Sequence, residues 1–145
     1  FLPSDIIAAF LFAQLENLDD IQQKRKQIWE QYYKALKGLE DQGKLKLPYL
    51  PGYASNNAHM FYIECGNLNE RTKLIEYMKE NGAHSVFHYL SLHKSPFYSE
   101  KHKGGELQQS DHYSDTLLRL PFYYELTEQN VEHITGIITS FYKNN

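Results

Sequence analysis

The sequence is poor in several features that would place it in a special class of protein. It has a single cysteine, Cys65, so no disulfide can form within the chain. Its longest apolar run, residues 6–13, is far shorter than the roughly 20 residues of a membrane span. Acidic residues outnumber basic ones, 18 to 15, which argues against non-specific binding of nucleic acid. We therefore expect a cytoplasmic protein with neither a membrane nor a nucleic acid as partner.

The signatures of several enzyme classes are absent as well. The sequence contains no GxGxxG, no GxxxxGK[ST], no GxSxG and no EF-hand loop. Its 145 residues, 41% hydrophobic and 23% charged, nevertheless have the make-up of one folded domain. The chain begins at Phe1 without a methionine. This favours a piece of a larger protein over the alternative, a tag or start segment that the sequence leaves out.

Hydrophobic spacing and turn residues predict a small α+β domain. The predicted helices are 5–39, with a break near 17–20, then 70–80, 110–118, and one after residue 127. Their predicted N-caps are Ser4, Asn69, Ser110 and Thr127. The predicted strands are 44–47, 58–65, 85–89 and 119–121. This order of elements predicts a two-layer domain in which helices pack on a sheet of three or four strands.

Three histidines that lie close together in the sequence form the first candidate site: His84, His88 and His93. Imidazole rings titrate near neutral pH and bind metals, phosphates and hydroxyl groups. Three interpretations remain open: a zinc site, ordinary surface histidines, and a ligand pocket where a strand meets the loop 90–109. Zinc has little support, because no HExxH motif is present and no carboxylate occurs between His84 and His93. A loop of that length is typically functional or mobile.

Three other features have ordinary structural explanations. The 12 tyrosines and 8 phenylalanines favour core packing over a platform for a sugar or a base. Cys65 ends a predicted strand and is expected to be a buried structural thiol. Asp111 and His112 are adjacent on a predicted helix, so their side chains do not face each other and do not form a dyad.

Four segments resemble the DegT/StrS-type sugar aminotransferases, which depend on pyridoxal phosphate (PLP). The beginning, FLPSD and then AAFLFAQL, resembles the helix of that family with the pattern SE-QAA-G-QL. NAHMFYI at 57–63 resembles the strand that enters the family's small domain, and VFHYLSLH at 86–93 resembles its HY-PLH segment. LRLPFY at 118–123, followed by LT, resembles its LPL-LT ending. FLPSD and VFHY are most similar to the branch of dTDP-4-amino-4,6-dideoxygalactose transaminases.

The resemblance implies that the chain is the C-terminal part of a fold-type I PLP aminotransferase. Residues 1–40 would be a long helical segment leading from a large domain, and residues 41–145 the C-terminal small domain. The family's PLP lysine lies in the large domain and has no counterpart here, so we expect no catalytic residue and no metal ligand in this chain, and no activity from the chain alone. The implied reaction moves an amino group from glutamate to a dTDP-4-keto-6-deoxyhexose, in a homodimer, for polysaccharide biosynthesis.

The resemblance also implies which residues bind the substrate. His88, Tyr89 and His93 match the HY-PLH segment, which in the family faces the sugar nucleotide. Asn57 and His59 match the strand entry and are expected to line the same cleft. Ser91 stands where the motif has proline, a difference that predicts a looser loop.

Two alternative functions remain. The first is a stand-alone nucleotide-sugar-binding or regulatory module that has kept the small domain without the catalysis. The second, with the least support, is a metal-dependent enzyme built on the histidines.

Overall fold

A computed structural model of the chain describes residues 2–144; Phe1, the first residue of the FLPSD segment, and Asn145 lie outside the described residues. The α+β class predicted from the sequence is confirmed. The helices are α1 (Asp5–Glu16), α2 (Leu18–Asp41), α3 (Leu68–Glu80), α4 (Gln108–Thr116) and α5 (Glu128–Lys143), with a 3-10 turn at Leu92–Lys94. The strands are β1 (Tyr62–Glu64), β2 (Val86–Phe87) and β3 (Leu117–Arg119).

The first predicted helix is two helices, and the predicted break is confirmed at Asn17. The Asn17 side chain donates a hydrogen bond to the carbonyl of Ala13 at 2.9 Å, which closes the end of α1. Ser4 is the N-cap of α1, as predicted, and its hydroxyl accepts from the amide of Ile7 at 3.4 Å. No described helix combines the length and the apolar character that crossing a membrane requires.

The sheet of the described residues has three short antiparallel strands in the order β1-β3-β2. Tyr62 and Val86 both pair with Arg119, so β1 and β2 run in the same direction on either side of β3. The strand predicted at 44–47 is reduced to a single bridge between Lys46 and Glu64. The sheet is therefore at the lower end of the predicted three or four strands.

One hydrophobic core joins the helices to the sheet. Helix α2 contributes the buried side chains of Ile28, Tyr32, Leu36 and Leu39, and α5 contributes six. The sheet adds Ile63 and Leu118, both fully buried. Because α2 packs in the same core as α5, its position relative to the sheet is fixed by apolar contacts along its C-terminal half.

Several predicted helix boundaries were wrong. Helix α3 is capped by Asn67, not Asn69: the backbone of Asn67 is extended, and its side chain accepts from the amide of Glu70 at 3.0 Å. Ser110 lies inside α4, not at its N-cap. Helix α4 ends at Thr116, because Leu117 already takes extended geometry to pair with Glu64.

The last helix agrees with its prediction. Thr127 is the N-cap of α5, and its hydroxyl accepts from the amide of Asn130 at 3.2 Å. The Asn130 side chain in turn accepts from the amide of Thr127, which completes a capping box.

Candidate functional site

The segment after β2 leaves the sheet at once and carries three of the predicted site residues. Strand β2 contains only Val86 and Phe87, so His88 and Tyr89 follow directly beyond the paired backbone. Their rings meet edge to face with centroids 4.7 Å apart. His88 is half-buried, whereas Tyr89 is 70% exposed. Tyr89 thus offers its ring to the surroundings while its backbone is held in place.

Helix α4 holds this segment through polar side chains on one face. Ser114 donates to the carbonyl of Tyr89 at 3.0 Å, and Ser110 donates to the hydroxyl of Ser91 at 3.3 Å. Residues four apart on a helix share a face, which explains why both serines reach the same segment. Ser91 is buried, so the serine that replaces the motif's proline ties the loop to the helix.

His93 is the most enclosed of the predicted site residues. Its side chain is only 10% exposed, and its Nε2 lies 3.3 Å from Oδ1 of Asp111. The other carboxylate oxygen of Asp111 forms an ion pair with Lys94 at 2.8 Å. The hydrogen bond from Lys94, assisted by Ser91, holds the pKa of the Asp111 carboxyl below its usual value. The loop thus presents an imidazole beside a carboxylate that stays ionised.

Two adjoining cavities open beside this loop. The larger, of about 420 Å³, is lined by His93, His102, Tyr98 and Lys101 among others. The rings of His93 and His102 lie 5.2 Å apart, and the Lys101 ammonium sits 3.5 Å above the ring of Phe97. The smaller cavity, of about 240 Å³, is lined by His88 and Tyr89. The three residues of the HY-PLH segment therefore border one continuous surface region.

The other two predicted site residues lie in the turn before β1. The Asn57 side chain faces His59, with 3.1 Å between its Oδ1 and the ring Nδ1. Between them Ala58 adopts a positive φ of 49°, which is strained for a residue with a side chain. Arg25 of α2 fixes the turn by donating to the carbonyls of Ala58 and His59.

The strand register separates these two groups of predicted residues. The turn with Asn57 and His59 precedes β1, and so lies at the end of the sheet where β3 ends. His88 follows β2, and so lies at the opposite end, where β3 begins. Neither Asn57 nor His59 borders the two cavities beside the loop, and the shared role of the five residues in binding stays a prediction.

Sequence reasoning missed the residues that position these groups. The partners of Arg25 lie more than 30 residues away, beyond the reach of a local pattern. Asp111 was weighed only against its neighbour His112. As predicted, those two do not pair: His112 contacts Glu64 at 2.9 Å, while Asp111 contacts His93 and Lys94.

Cys65 is buried directly after β1, as predicted for a structural thiol. Burial raises its pKa to about 12. Such a thiol is not ionised near neutral pH and is a poor nucleophile or metal ligand. Among the described residues, no three His, Cys, Asp or Glu side chains come together as a metal site.

The described lysines do not suit a covalent cofactor. All are exposed except the half-buried Lys24. A lysine that forms a Schiff base must lose its proton, which a desolvated pocket favours. The hydrogen bonds of Lys46 to Glu64 and of Lys94 to Asp111 instead raise the pKa of these two ammonium groups. The residues present therefore do not form a PLP anchor.

Comparison with solved structures gives the fold a wider context. The aminotransferase TlmJ from Streptoalloteichus hindustanus matches 99% of the chain with a TM-score of 0.87 at 21% identity. Spr1654, a proposed sugar aminotransferase from Streptococcus pneumoniae, matches 97% in its PLP form, with a TM-score of 0.82 at 19% identity. At these identities the likeness shows a shared fold.

A third structure is more similar in sequence. An aminotransferase of the DegT DnrJ EryC1 StrS type from Brucella abortus is 31% identical over 92% of the chain, with a TM-score of 0.76. The chain spans only 37%, 34% and 36% of the TlmJ, Brucella and Spr1654 chains, respectively. It therefore corresponds to about a third of a complete aminotransferase fold.

The sequence itself settles the family. A profile of the DegT/DnrJ/EryC1/StrS aminotransferases matches residues 4–139, almost the whole chain. The resemblance found in the four sequence segments and the similarity of the fold agree with this match. The chain belongs to the DegT/DnrJ/EryC1/StrS aminotransferase family.

Proposed function

We propose that the chain is the C-terminal small domain of a PLP-dependent nucleotide-sugar aminotransferase. The complete enzyme would transfer an amino group from glutamate to the 4-keto carbon of a dTDP-linked 6-deoxyhexose, as the branch of dTDP-4-amino-4,6-dideoxygalactose transaminases does. It would act as a homodimer, and this chain alone would be inactive. The loop built from the HY-PLH segment is the observation that carries this proposal.

The chemistry of that loop suits a polar sugar ligand. His88 and Tyr89 border one cavity, and His93, His102 and Lys101 border the next. Imidazole, phenol and ammonium groups bind hydroxyl and phosphate oxygens, and an aromatic face packs against a sugar ring. In this proposal the chain binds and orients the sugar substrate.

The cofactor would be held by residues outside this chain. PLP supplies the electron sink for amino transfer. The lysines described here offer no anchor for it, so no chemical step is assigned to them. Family membership and the PLP form of Spr1654 support PLP as the cofactor of the complete enzyme.

The test compares the complete protein with the 145-residue chain. With glutamate and a dTDP-4-keto-6-deoxyhexose, we expect the complete protein to form 2-oxoglutarate and an amino sugar, and the chain alone to form neither. Replacing His93 by alanine should raise the KM for the sugar nucleotide about tenfold, equal to about 1.4 kcal/mol. His133→Ala is the matched control, because His133 is an exposed histidine on α5, outside the proposed site.

Two outcomes would contradict the proposal. If glutamate converts the cofactor to its amino form but no dTDP-4-keto sugar accepts the group, the assigned substrate is wrong. If the complete protein forms no 2-oxoglutarate while the chain alone binds a dTDP sugar in calorimetry, the binding-module alternative replaces it.

A further inference from the structure

We infer that Arg71 of α3 is a positioning residue for the HY-PLH loop. It holds Phe87, the residue before His88, directly. It holds Tyr89, the residue after His88, through Ser114 of α4. Arg71 lines neither of the two cavities beside the loop, so its effect on binding passes through the loop itself. The inference deepens the proposed function, on which the identity of the ligand rests, whereas the contacts of Arg71 stand without it.

Arg71 is a buried charge without an acidic partner. The residue is only 7% exposed, and it forms no ion pair with any carboxylate of residues 2–144. Its Nε is enclosed and has no hydrogen-bond partner among the same residues. Burying a charge is unfavourable unless other groups compensate it. Here the guanidinium is held by a hydrogen bond to Ser114 and by the ring of Phe87.

The contact with Ser114 fixes the end of α4. The guanidinium of Arg71 donates to the backbone carbonyl of Ser114, which lies in the last turn of that helix. The carbonyls of a last turn lack donors within the helix and carry the negative end of the helix dipole. A buried cation is therefore compensated at this position, and the contact ties α4 to α3.

The hydroxyl of Ser114 extends this tie to the loop. A serine or threonine inside a helix often donates to the carbonyl four residues earlier, as Thr116 does to His112 at 2.8 Å. Ser114 instead donates to the carbonyl of Tyr89 at 3.0 Å. Its carbonyl and its hydroxyl thus connect Arg71 to Tyr89 through a single residue.

The contact with Phe87 fixes the chain on the other side of His88. The guanidinium carbon of Arg71 lies 5.3 Å from the centre of the Phe87 ring, within the range of a cation–π contact. Phe87 ends β2 and pairs with Leu118, so this anchor belongs to the sheet. His88 is therefore held through both of its neighbours, and its ring and that of Tyr89 line the smaller cavity in a fixed arrangement.

The direct test is limited proteolysis of the complete protein with chymotrypsin, which cleaves after exposed aromatic residues. The rate of cleavage after Tyr89, followed by mass spectrometry, reports how readily the loop opens. Ser114→Ala should speed this cleavage about fivefold, because one hydrogen bond is lost. Arg71→Met, which also loses the ring contact, should speed it about tenfold. Ser140→Ala, at an exposed serine of α5, is the matched control and should leave the rate unchanged.

A kinetic readout separates positioning from a merely structural role. In the complete enzyme, Ser114→Ala should raise the KM for the sugar nucleotide about fivefold and Arg71→Met about tenfold, with the glutamate half-reaction intact. Arg71→Lys keeps the charge and a donor but not the planar fork, so it should recover part of the loss. Because the two residues act in series, the double variant should lose less than the product of the single effects.

Two results would count against the inference. If Arg71→Met leaves the cleavage after Tyr89 unchanged, Arg71 does not hold the loop. If the single effects multiply fully in the double variant, Arg71 does not act through Ser114. Should Arg71→Met fail to unfold cooperatively in urea, Phe87→Leu and Ser114→Ala test the two contacts one at a time. Each should still speed the cleavage, and no change in either would overturn the inference.

The positioning role and the proposed function can fail independently. If the complete protein lacks amino transfer but the variants loosen the loop as expected, the proposed function is wrong and the positioning role stands. If amino transfer is present but neither the cleavage rate nor the KM responds to Arg71→Met, only the positioning role is wrong.

Discussion

Helices α1 and α5 have opposite relations to the core although both are rich in apolar residues. None of the 12 residues of α1 is buried, whereas α5 buries seven of its 16. Along α5 the apolar residues recur at steps of three and four and form one stripe, which packs against α2 and α3. Around α1 they occur on all sides. In these two helices, burial thus depends on whether the apolar residues lie on one face of the helix, and not on how many there are.

The exposed apolar side chains of α1 are large and lie within ten consecutive residues. They are Ile6, Ile7, Phe10, Leu11, Phe12 and Leu15, each more than half exposed. A monomeric protein rarely leaves such a surface uncovered. The α1 surface therefore adds little to the stability of the described residues, and the stability is concentrated in the α2, α3 and α5 core.

The largest expected effect is the loss of stability when a buried side chain of α5 is truncated, compared with the same truncation in α1. Ile138→Ala in α5 should lower the free energy of unfolding by about 2–5 kcal/mol, because a fully buried side chain leaves a cavity. Ile7→Ala in α1 makes the same chemical change at a 61% exposed position and should stay within about 0.5 kcal/mol of the wild type. Urea unfolding of both variants measures the difference. Equal losses would show that α1 is packed as tightly as α5.

The next largest expected effect is a loss of folding stability at alkaline pH. Cys65 and Tyr142 are both buried, and burial raises the pKa of Cys65 from 9.0 to about 12 and that of Tyr142 from 10.0 upward. Above pH 9 the unfolded chain releases the proton of Cys65, and above pH 10 that of Tyr142, while the folded chain retains both. The stability is therefore complete below pH 9 and declines as pH rises towards 12, by about 1.4 kcal/mol per pH unit for each group.

Urea unfolding at several pH values measures this decline. Cys65→Ala should make the curve less steep, because one retained proton is removed. Phe10→Ala in α1 should leave the slope unchanged, since α1 carries no buried titratable group. A Cys65→Ala variant with the wild-type slope would exclude the thiol as a source.

The smallest effect concerns the two helix caps. Thr127→Ala removes the hydroxyl of the capping box and should destabilise the protein by about 1 kcal/mol. Ser4→Ala removes a longer cap bond, of 3.4 Å, from a helix that is not anchored in the core. It should reduce the far-ultraviolet helical signal slightly and leave the cooperative unfolding midpoint in place. If Ser4→Ala shifts that midpoint as much as Thr127→Ala does, α1 contributes to the stability of the fold as α5 does, and the expected difference between the two helices is wrong.

Local chemistry made much of the fold predictable. The cap at Thr127, the break at Asn17 and the burial of Cys65 each follow from a few neighbouring residues. Three of the predicted strands were too long, and the fourth, 119–121, lies two residues earlier as β3, because pairing depends on a partner far along the chain. The segment before Tyr62 is turned aside by the positive φ of Ala58, which Arg25 stabilises from a distant helix.

The candidate site likewise has one part that the sequence predicted and another part that it did not. The sequence pointed to His88, Tyr89 and His93 through a resemblance, and the structure places these three along one loop. It did not indicate that Asp111 contacts His93, since the two are 18 positions apart in the sequence. Nor did it indicate that Asn57 and His59 lie at the other end of the sheet, because that depends on strand order and not on composition.

The position of β3 also determines when the sheet can form during synthesis of the chain. Of the three described strands, β3 comes last in the sequence but lies in the middle of the sheet. During synthesis, β1 and β2 leave the ribosome with no strand to pair with, until residues 117–119 emerge. The pairing of Tyr62 with Arg119 then closes a loop of more than 50 residues, a long-range step that slows folding. A nascent chain that ends before Leu117 therefore contains both outer strands of the sheet but not the central strand that joins them.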